Sequence, residues 1–315
     1  MTAIAISAIA GAVLSSLLSC IPGLHVYNVL AILASLSFCL PGTSTALSPD
    51  MIIPFSAGMI TAFSIVNSIP SVFLSAPDES AFFTILPGQK YVMEGRGYEG
   101  VMLTAAGGLA GLLVMILAIG PLAPLILPPA WDVLRPHTHW IVWCVMAFML
   151  LSEWPKSGNM GQAGWERFNE SWRTTGAGLI TFALSGLLGF VLIYKSPVSA
   201  TSAFQNLMPA FAGLFTLPWL ILNIACRTAP PPQDKSTLIL HPAEAIHGTV
   251  AGAMGGWFAA FFPVITGGIG GMLAGHATAI RNSRAFLVSQ GASKTINYGG
   301  GFMLLFVPGL HIARG

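Results

Sequence analysis

A series of long apolar segments, separated by short polar breaks, constrains this chain more than any other feature of its sequence. A helix needs about 20 apolar residues to cross a bilayer, and several segments reach that length. Only 8% of the residues are charged, against roughly 25% in soluble domains. The chain is therefore predicted to be an all-α, polytopic membrane protein surrounded by a lipid bilayer. The net charge of +2 and the lack of a basic run argue against a nucleic-acid partner. The segments run roughly over 2–20, 24–40, 52–74, 100–127, 138–153, 175–194, 205–226, 243–262, 264–280 and 285–310.

Basic residues in the loops predict an orientation. The loops at 88–99, 154–173 and 227–240 carry most of the Lys and Arg residues found between segments. Two apolar segments separate each of these loops from the next, so all three are predicted to lie on one side. Cytoplasmic loops hold an excess of Lys and Arg, which assigns this side to the cytoplasm.

Several apolar runs are interrupted by Gly or Pro mixed with polar residues. Non-helical backbone occurs at membrane depth only where protein or a water-filled cavity surrounds it. A half-helix that begins there presents free N–H groups and a positive dipole end, which favour an anion. We therefore expect broken, re-entrant helices around a solute site. The interruptions lie at 21–28, 67–71, 75–80, 263–271 and 289–301.

An internal repeat relates the two ends of the chain. The segment 10–33 aligns without gaps on the segment that starts at 251, with Pro22 on Pro263, and 72–88 has a looser counterpart in 286–301. By the charge pattern one copy begins outside and the other inside, which is the inverted-repeat plan of secondary transporters. Chance recurrence of Gly, Ala and Pro is the alternative. The predicted divisions are a first repeat at 1–128, intervening membrane helices at 129–240, and a second, inverted repeat at 241–315 that lacks a final expected segment.

The first break carries a histidine. His25 lies one turn from Asn28, so both side chains can share a helix face. They either contact a solute or proton, as intramembrane ionisable groups often do, or His25 only bonds a neighbouring carbonyl. These two interpretations are weighted equally.

Charged residues mark two further breaks. Asp78 and Glu79 either complement the dipole of a helix that begins there, with Asp78 as its N-cap, or form a cation or proton site. Lys294 either binds an anionic solute or pairs with one of these acids, or it extends its ammonium to water from the membrane interface. The cysteine and histidine spacings predict no metal site.

Two stretches resemble a known family. The run "IPSVFLSAPDESAFFTILPGQKYVMEGRGYEGVMLTAAGGLAGLL" (69–113) and the earlier "IPGLHVYNVLAIL" (21–33) are similar to the large permease subunit of tripartite tricarboxylate transporters. That subunit typically has "GSIPAILLNIPGT", "LDGYPMAKKGQAGRAL" and "LPGLGPANALAL" stretches. The resemblance covers the first 115 residues or so, and the chain looks closest to a divergent archaeal-type branch.

The resemblance implies an ion-driven secondary carrier for carboxylates in a prokaryotic plasma membrane. A small membrane subunit and an extracytoplasmic solute-binding protein are its implied partners, Na⁺ or H⁺ its coupling ion, and no cofactor is expected. Asp78 and Glu79 depart from the uncharged "PGT" of the family, and such acids would repel a tricarboxylate. They are the predicted ion-coupling residues. The residues predicted to bind substrate are Pro22, Gly23, His25, Asn28, Ser75, Pro77, Gly267, Gly268, Ser293, Lys294 and Asn297.

The sequence therefore predicts a transporter of an anionic solute, most simply a carboxylate, working by alternating access. A translocase for polyprenyl-phosphate lipid carriers is the first alternative, because half-helix N-termini suit a phosphate as well as a carboxylate. The second alternative is a membrane enzyme acting on lipid-linked substrates, with Asp78, Glu79 and His25 as acid and base groups. No nucleophile–base motif or metal spacing supports an enzyme, so none is predicted.

Overall fold

The structure is a computed structural model. All the secondary-structure elements among the residues that it describes are helices. These residues are 1–39, 49–76, 79–153, 164–195, 209–210, 212–227, 229–235, 238–263, 265–278 and 282–310. The fold predicted from composition is thus confirmed as an all-α membrane protein. The α-helices are α1 (Thr2–Leu18), α2 (Val26–Cys39), α3 (Pro49–Val66), α4 (Ser68–Phe73), α5 (Ile85–Met93), α6 (Gly97–Val114), α7 (Gly120–Leu134), α8 (Thr138–Ser152), α9 (Gly164–Tyr194), α10 (Leu217–Cys226), α11 (Pro242–Phe261), α12 (Gly267–Thr278) and α13 (Ser283–Met303).

Shorter helical turns connect some of these helices. A 3₁₀ helix at Glu79–Thr84 precedes α5, and another at Leu304–Phe306 follows α13. Single π-helical turns lie at Met115–Ile119 and Ala212–Thr216.

Within the residues that the structure describes, three helical stretches are long and apolar enough to cross a membrane. They are Asp50–Phe73, Gly97–Ser152 and Gly164–Tyr194. The chain forms two compact units, one made of Met1–Ala130 with Met208–Gly315 and the other of Trp131–Leu207. The second unit contains α8 and α9, which meet where Gly178 lies against Glu153.

Helices of the first unit approach one another closely at glycines. A Cβ added to Gly291 of α13 would lie 1.9 Å from the carbonyl oxygen of Thr104 in α6. A Cβ on Gly252 of α11 would lie 2.4 Å from the carbonyl oxygen of Ser289 in α13. Only a residue without a side chain fits at such contacts, as in other tightly packed membrane helices.

The helix–break–helix–helix unit occurs twice in the first unit. In the first copy α1 ends at Leu18 and α2 begins at Val26, and in the second α11 ends at Phe261 and α12 begins at Gly267. Val26 and Gly267 are separated by the same 241 positions as the two aligned prolines. The packing recurs as well. Gly11 of α1 lies against the Phe55 carbonyl of α3, and Gly252 of α11 lies against the Ser289 carbonyl of α13.

The third helices of the two copies run in opposite directions. Asn67, just after α3, pairs with Lys294 of α13, whereas Phe63, one turn earlier in α3, packs on Tyr298, one turn later in α13. Residue numbers therefore rise along one helix as they fall along the other, so α3 and α13 are antiparallel where they meet.

The predicted break at 289–301 is wrong. Helix α13 is continuous through this segment, from Ser283 to Met303. Its glycines are packing contacts and do not interrupt the helix, as Gly291 shows against Thr104 and Gly300 against Trp257. The looser alignment of 72–88 on 286–301 therefore pairs a broken segment with an unbroken helix.

The other predicted interruptions are present to different degrees. The backbone leaves the helix after α1 and after α11, and Asn67 is a single turn residue between α3 and α4. The backbone leaves the helix after Phe73, and Ser75 has φ 50°, a left-handed conformation that is costly for a residue with a side chain. Pro77 and Asp78 lie outside the described residues.

Candidate functional site

Helix α13 has buried polar side chains, which a helix surrounded by lipid would not carry. Polar side chains at membrane depth are costly and face a protein interior or a watery cavity. The buried polar residues on this helix are Ser289, Gln290, Ser293, Lys294, Thr295 and Asn297. Their number along one helix marks α13 as the centre of the candidate site.

The charged member of this face is Lys294. Its side chain is 2% exposed, so its ammonium does not extend to water as one interpretation had it. Its Nζ donates a hydrogen bond of 2.6 Å to Oδ1 of Asn67 and lies 5.2 Å from the centre of the Phe63 ring. A buried ammonium is a concentrated positive charge, which makes Lys294 a candidate group for contacting an anion.

One turn further along α13, Tyr298 joins two other elements. Its hydroxyl oxygen accepts a hydrogen bond of 3.0 Å from Ser80 Oγ and lies 3.0 Å from Nε2 of His25. The ring packs edge-on against Phe63 and Tyr27. A single buried hydroxyl therefore ties the first break to the 3₁₀ helix that follows α4.

The contacts of His25 assign the roles of its two ring nitrogens. Its Nδ1 accepts the backbone N–H of Tyr27 at 3.2 Å, so the imidazole caps the start of α2. In a neutral imidazole the other nitrogen then carries the hydrogen, and Nε2 donates to Tyr298. His25 is thus bonded to more than a neighbouring carbonyl.

The second break reaches the same polar cluster. Gly267, the first residue of α12, lies so close to Ser80 and Asn297 that a Cβ there would be 2.7 Å from Ser80 Cβ and 2.6 Å from Asn297 Nδ2. Ser80 touches both Gly267 and Tyr298, so the two breaks converge on one turn of α13. The free N–H groups at the start of α12 begin beside this polar cluster, where they favour an anion.

The structure brings together only some of the predicted site residues. His25, Gly267, Lys294 and Asn297 surround the cluster. The turn with Pro22 is close to another part of the chain, since Gly23 (φ 81°) lies beside the methyl group of Thr216. The remaining placements are these: Asn28 is half-buried in the first turn of α2, Ser75 and Gly268 are buried, Ser293 is buried on α13, and Glu79 begins the 3₁₀ helix, with nothing described for its side chain.

Sequence reasoning missed Asn67, Ser80 and Tyr298 as site residues. Asn67 and Ser80 lie inside the predicted interruptions at 67–71 and 75–80, but neither was predicted to be a site residue. Tyr298 is four residues after Lys294, and helical spacing would have placed the two on one face. The wrongly predicted break at 289–301 hid that signal.

Some buried oxygen atoms of α13 lack hydrogen-bond partners within the described part of the chain. They are Gln290 Oε1, Ser293 Oγ and Thr295 Oγ1. The Gln290 amide nitrogen donates to the Gly271 carbonyl at 2.9 Å, which fixes its orientation. Across 1–39, 49–76 and the other described ranges, no group of three His, Cys, Asp or Glu side chains could hold a metal ion.

An ion-pair network closes one end of the first unit. Arg284, near the start of α13, contacts Glu99 of α6, Glu244 of α11 and the Ile239 carbonyl. Gln233 from the extended 229–235 segment accepts the Gly97 N–H and donates to the Val92 carbonyl. Gln233 therefore joins the basic segments 88–99 and 227–240 at this end, and the first of them is largely helical, in α5 and the start of α6.

The fold and the site define an α-helical membrane protein with a buried, cationic polar cluster where two broken segments meet. The chain belongs to the tripartite tricarboxylate transporter TctA family, whose family model matches residues 5–313, and this confirms the resemblance found in the sequence. It is also similar to an uncharacterized protein of Methanocaldococcus jannaschii, MJ1079, with 26% identity over 291 residues. That match covers 90% of this chain but only 64% of the relative. No solved structure matches the chain.

Proposed function

We propose that this protein is a secondary transporter for a small anionic solute, most simply a carboxylate. The observation that carries this proposal is the buried ammonium of Lys294, which lies in the cluster where both breaks converge. Membership in a transporter family supports transport over an enzyme. The solute carboxylate would bind between Lys294 and the first N–H groups of α12, with Tyr298, Ser80 and Asn297 as neutral hydrogen-bonding groups around it.

The antiparallel course of α3 and α13 supports alternating access. These helices hold the same position in the two copies of the helix–break–helix–helix unit, and an inverted repeat requires them to run in opposite directions. We infer that a pseudo-two-fold axis in the membrane plane passes near Phe63 and Tyr298. The two copies would then rock about the site and open it to each side in turn.

The two acidic residues before Ser80 affect which solute charge the site favours and how transport is coupled to an ion gradient. Asp78 and Glu79 precede Ser80 directly in the chain, so two negative charges lie within a few residues of the cluster. A solute with several negative charges would be repelled there, which favours one with few carboxylates. We propose that Na⁺ or H⁺ binding at these acids couples transport to an ion gradient, with Glu79 as the residue that changes charge.

The family suggests assistance by other proteins. We propose a small membrane subunit and an extracytoplasmic solute-binding protein as partners, and the plasma membrane of a prokaryote as the location. The end of the first unit that carries Arg284 and the basic loops would face the cytoplasm.

A second candidate function has its own supporting observation. An open apolar groove of about 340 Å³ lies between α3 and α13, lined by residues that include Ile60, Gly299 and Phe302. Ile60 and Phe302 also pack in the cluster that contains Tyr298. A lipid tail would fit the apolar lining of this groove, and Lys294, on the same helix as Gly299 and Phe302, would be the candidate contact for its phosphate.

Solute-dependent thermal stabilisation of the purified full chain tests these functions. Ligand that binds the native state alone raises the melting temperature. Citrate, malate, acetate, inorganic phosphate and a polyprenyl phosphate are compared at constant ionic strength. Stabilisation by a carboxylate supports the first function, and stabilisation by the polyprenyl phosphate alone supports the second.

The charge of Lys294 provides the control for this experiment. Lys294→Gln should remove the stabilisation, whereas Lys195→Gln, at an exposed position after α9, should leave it intact. A carboxylate response that survives in Lys294→Gln would place the anion elsewhere and refute the proposed site.

A further inference from the structure

Two rows of residues face each other where α12 packs on α13. Gln290, Ser293 and Asn297 follow one another at spacings of three and four, so they form one row along α13. Gly267 and Gly271, also one turn apart, form the facing row on α12. A Cβ on Gly267 would lie 2.6 Å from Asn297 Nδ2. A Cβ on Gly271 would lie 2.7 Å from Gln290 Oε1. The row on α13 therefore faces the backbone at the start of α12.

The carboxamide of Gln290 is held in one orientation. The residue is 3% exposed, and its Nε2 donates a hydrogen bond of 2.9 Å to the Gly271 carbonyl. The reverse orientation would point Oε1 at this carbonyl, and two acceptors would then face each other. Oε1 is thus fixed inside the protein as an acceptor, and no residue in the described ranges donates a hydrogen bond to it.

The neighbouring member of the row, Ser293, is in the same situation. It is 1% exposed, and its Oγ also has no partner among the residues whose structure is described. Helical Ser hydroxyls commonly donate to a carbonyl three or four residues earlier, as Ser289 does to Phe286 at 2.8 Å. Buried polar groups of native proteins are nearly always paired, so two unpaired oxygen atoms in one row point to a ligand that brings a hydrogen-bond donor.

This row borders the position proposed for the solute carboxylate. Gln290 precedes Lys294 by one helical turn. Ser80 lies along both glycines, with its Cβ 2.7 Å from the Cβ position of Gly267 and its carbonyl oxygen 3.8 Å from that of Gly271. A solute whose carboxylate binds the first N–H groups of α12 would therefore have its adjoining carbon atoms beside the row on α13.

We propose that Gln290 and Ser293 bind a hydroxyl group of the solute, so that the site prefers hydroxycarboxylates. The solute hydroxyl donates its hydrogen to Gln290 Oε1, and Ser293 Oγ donates to the oxygen of the same hydroxyl. A site built to bond a hydroxyl rejects the analogue without it, because its polar groups then stay unpaired. This inference rests on the proposed function, since it assumes that a carboxylate binds beside α12, and it narrows the substrate class.

The test compares carboxylates that differ by one hydroxyl group. Malate is paired with succinate, and citrate with propane-1,2,3-tricarboxylate, at one ionic strength and at a pH where every carboxyl group is ionised. The affinity of the purified full chain for each acid is measured from the concentration dependence of the melting temperature. The ratio of affinities within a pair reports recognition of the hydroxyl group apart from recognition of the carboxylates.

Two variants remove the proposed hydroxyl contacts, and a third is their control. Gln290→Met removes the acceptor and keeps the length of the side chain. Ser293→Ala removes the hydroxyl and leaves the bond between Gln290 and the Gly271 carbonyl in place. Thr175→Val is the matched control, because Thr175 Oγ1 is likewise buried without a partner in the described part of the chain but belongs to the second compact unit.

The wild type should bind the hydroxylated acid of at least one pair about tenfold or more tightly than its partner. Gln290→Met and Ser293→Ala should each reduce this ratio to about threefold or less. The loss should fall on the hydroxylated acid, whereas the affinity for the acid without a hydroxyl should stay within about twofold, since that acid does not use these oxygen atoms. Thr175→Val should keep the wild-type ratio.

Several outcomes would overturn the proposal. Equal wild-type affinities within both pairs would do so and would leave the proposed function standing. A preference for the hydroxylated acid that persists in both variants would place the hydroxyl elsewhere, and an equal loss of both acids would mean that the variants only damage the site. Na⁺ that stabilises the wild type without any carboxylate, but neither variant, would show that these oxygen atoms bind a cation instead.

The remaining outcomes are also decisive. If Gln290→Met does not fold, the affinity ratio of Ser293→Ala decides by the same criterion. If no carboxylate stabilises the wild type, the proposed function itself fails, and this inference fails with it.

Discussion

The imidazole Nε2 of His25 lies 3.0 Å from the hydroxyl oxygen of Tyr298, joining residues 273 positions apart in the chain. One of them precedes α2 in the first copy of the repeated unit, and the other belongs to α13 in the second. The contact connects the two copies at the polar cluster. Movement of one copy against the other would therefore break or rebuild a buried hydrogen bond.

Replacing Tyr298 with Phe should reduce stability and weaken solute binding. The substitution keeps the ring but removes the hydroxyl oxygen that accepts from Ser80 Oγ and contacts His25 Nε2, and the loss of a buried hydrogen bond costs about 1 kcal/mol. The free energy of unfolding in mixed micelles measures the first effect, and the rise in melting temperature with the carboxylate that stabilises the wild type most measures the second. Tyr194→Phe, at a ring that is 71% exposed, is the matched control. Stability of Tyr298→Phe equal to that of the control would mean that this hydroxyl contributes nothing.

Replacing Gly291 with Ala should force α6 and α13 apart. The new Cβ would lie 1.9 Å from the Thr104 carbonyl oxygen, and overpacking of this kind costs about 1–3 kcal/mol or more. Gly186→Ala in α9 is the control, because nothing lies within 4 Å of its Cβ position, and there the better helix propensity of Ala should be neutral or favourable by up to about 1 kcal/mol. The melting temperatures of the two variants are compared. A melting temperature of Gly291→Ala equal to that of Gly186→Ala would contradict the close approach of α6 and α13.

Replacing Arg284 with Gln should loosen the end of the first unit where α6, α11 and α13 begin. Glu99 and Glu244, whose side chains are 14% and 13% exposed, would be left close together without their shared cation. Removing one member of a partly buried network costs about 2 kcal/mol. Lys90→Gln breaks an exposed pair with Glu94 and should change the unfolding free energy by less than about 0.5 kcal/mol. Equal unfolding free energies of the two variants would show that the Arg284 network does not stabilise this end of the first unit.

Replacing Glu79 with Gln should abolish gradient-driven uptake while leaving solute binding and expression unchanged. A coupling carboxylate must change its charge during the cycle, and an amide cannot. Asp78→Asn is the companion variant and should keep both fold and transport, because Asn caps a helix about as well as Asp. Uptake into proteoliposomes under Na⁺ and proton gradients measures the difference. Transport by Glu79→Gln with unchanged dependence on both ions would make Glu79 a structural residue.

Local sequence features predicted most of the helices and the breaks that follow α1 and α11. A Pro followed by Gly at 22–23 and the Gly pair at 267–268 interrupt apolar runs, and both residue types disfavour a continuous helix. Helix packing was harder to predict from the sequence, because glycine occurs both in breaks and at close helix contacts. It interrupts a helix in the turn at Gly23, but at Gly291 it allows two helices to touch, and neighbouring sequence does not distinguish these cases.

By itself the sequence determined the class of protein and the breaks that follow α1 and α11, since hydrophobic length and backbone chemistry are local properties of a chain in lipid. It also singled out His25, Lys294 and Gly267. Only the tertiary structure decided that Asn67, Ser80 and Tyr298 join them, and that α3 and α13 cross in opposite directions. Hydrogen bonds between residues more than 200 positions apart depend on how the helices pack, and no local pattern in the sequence records that packing.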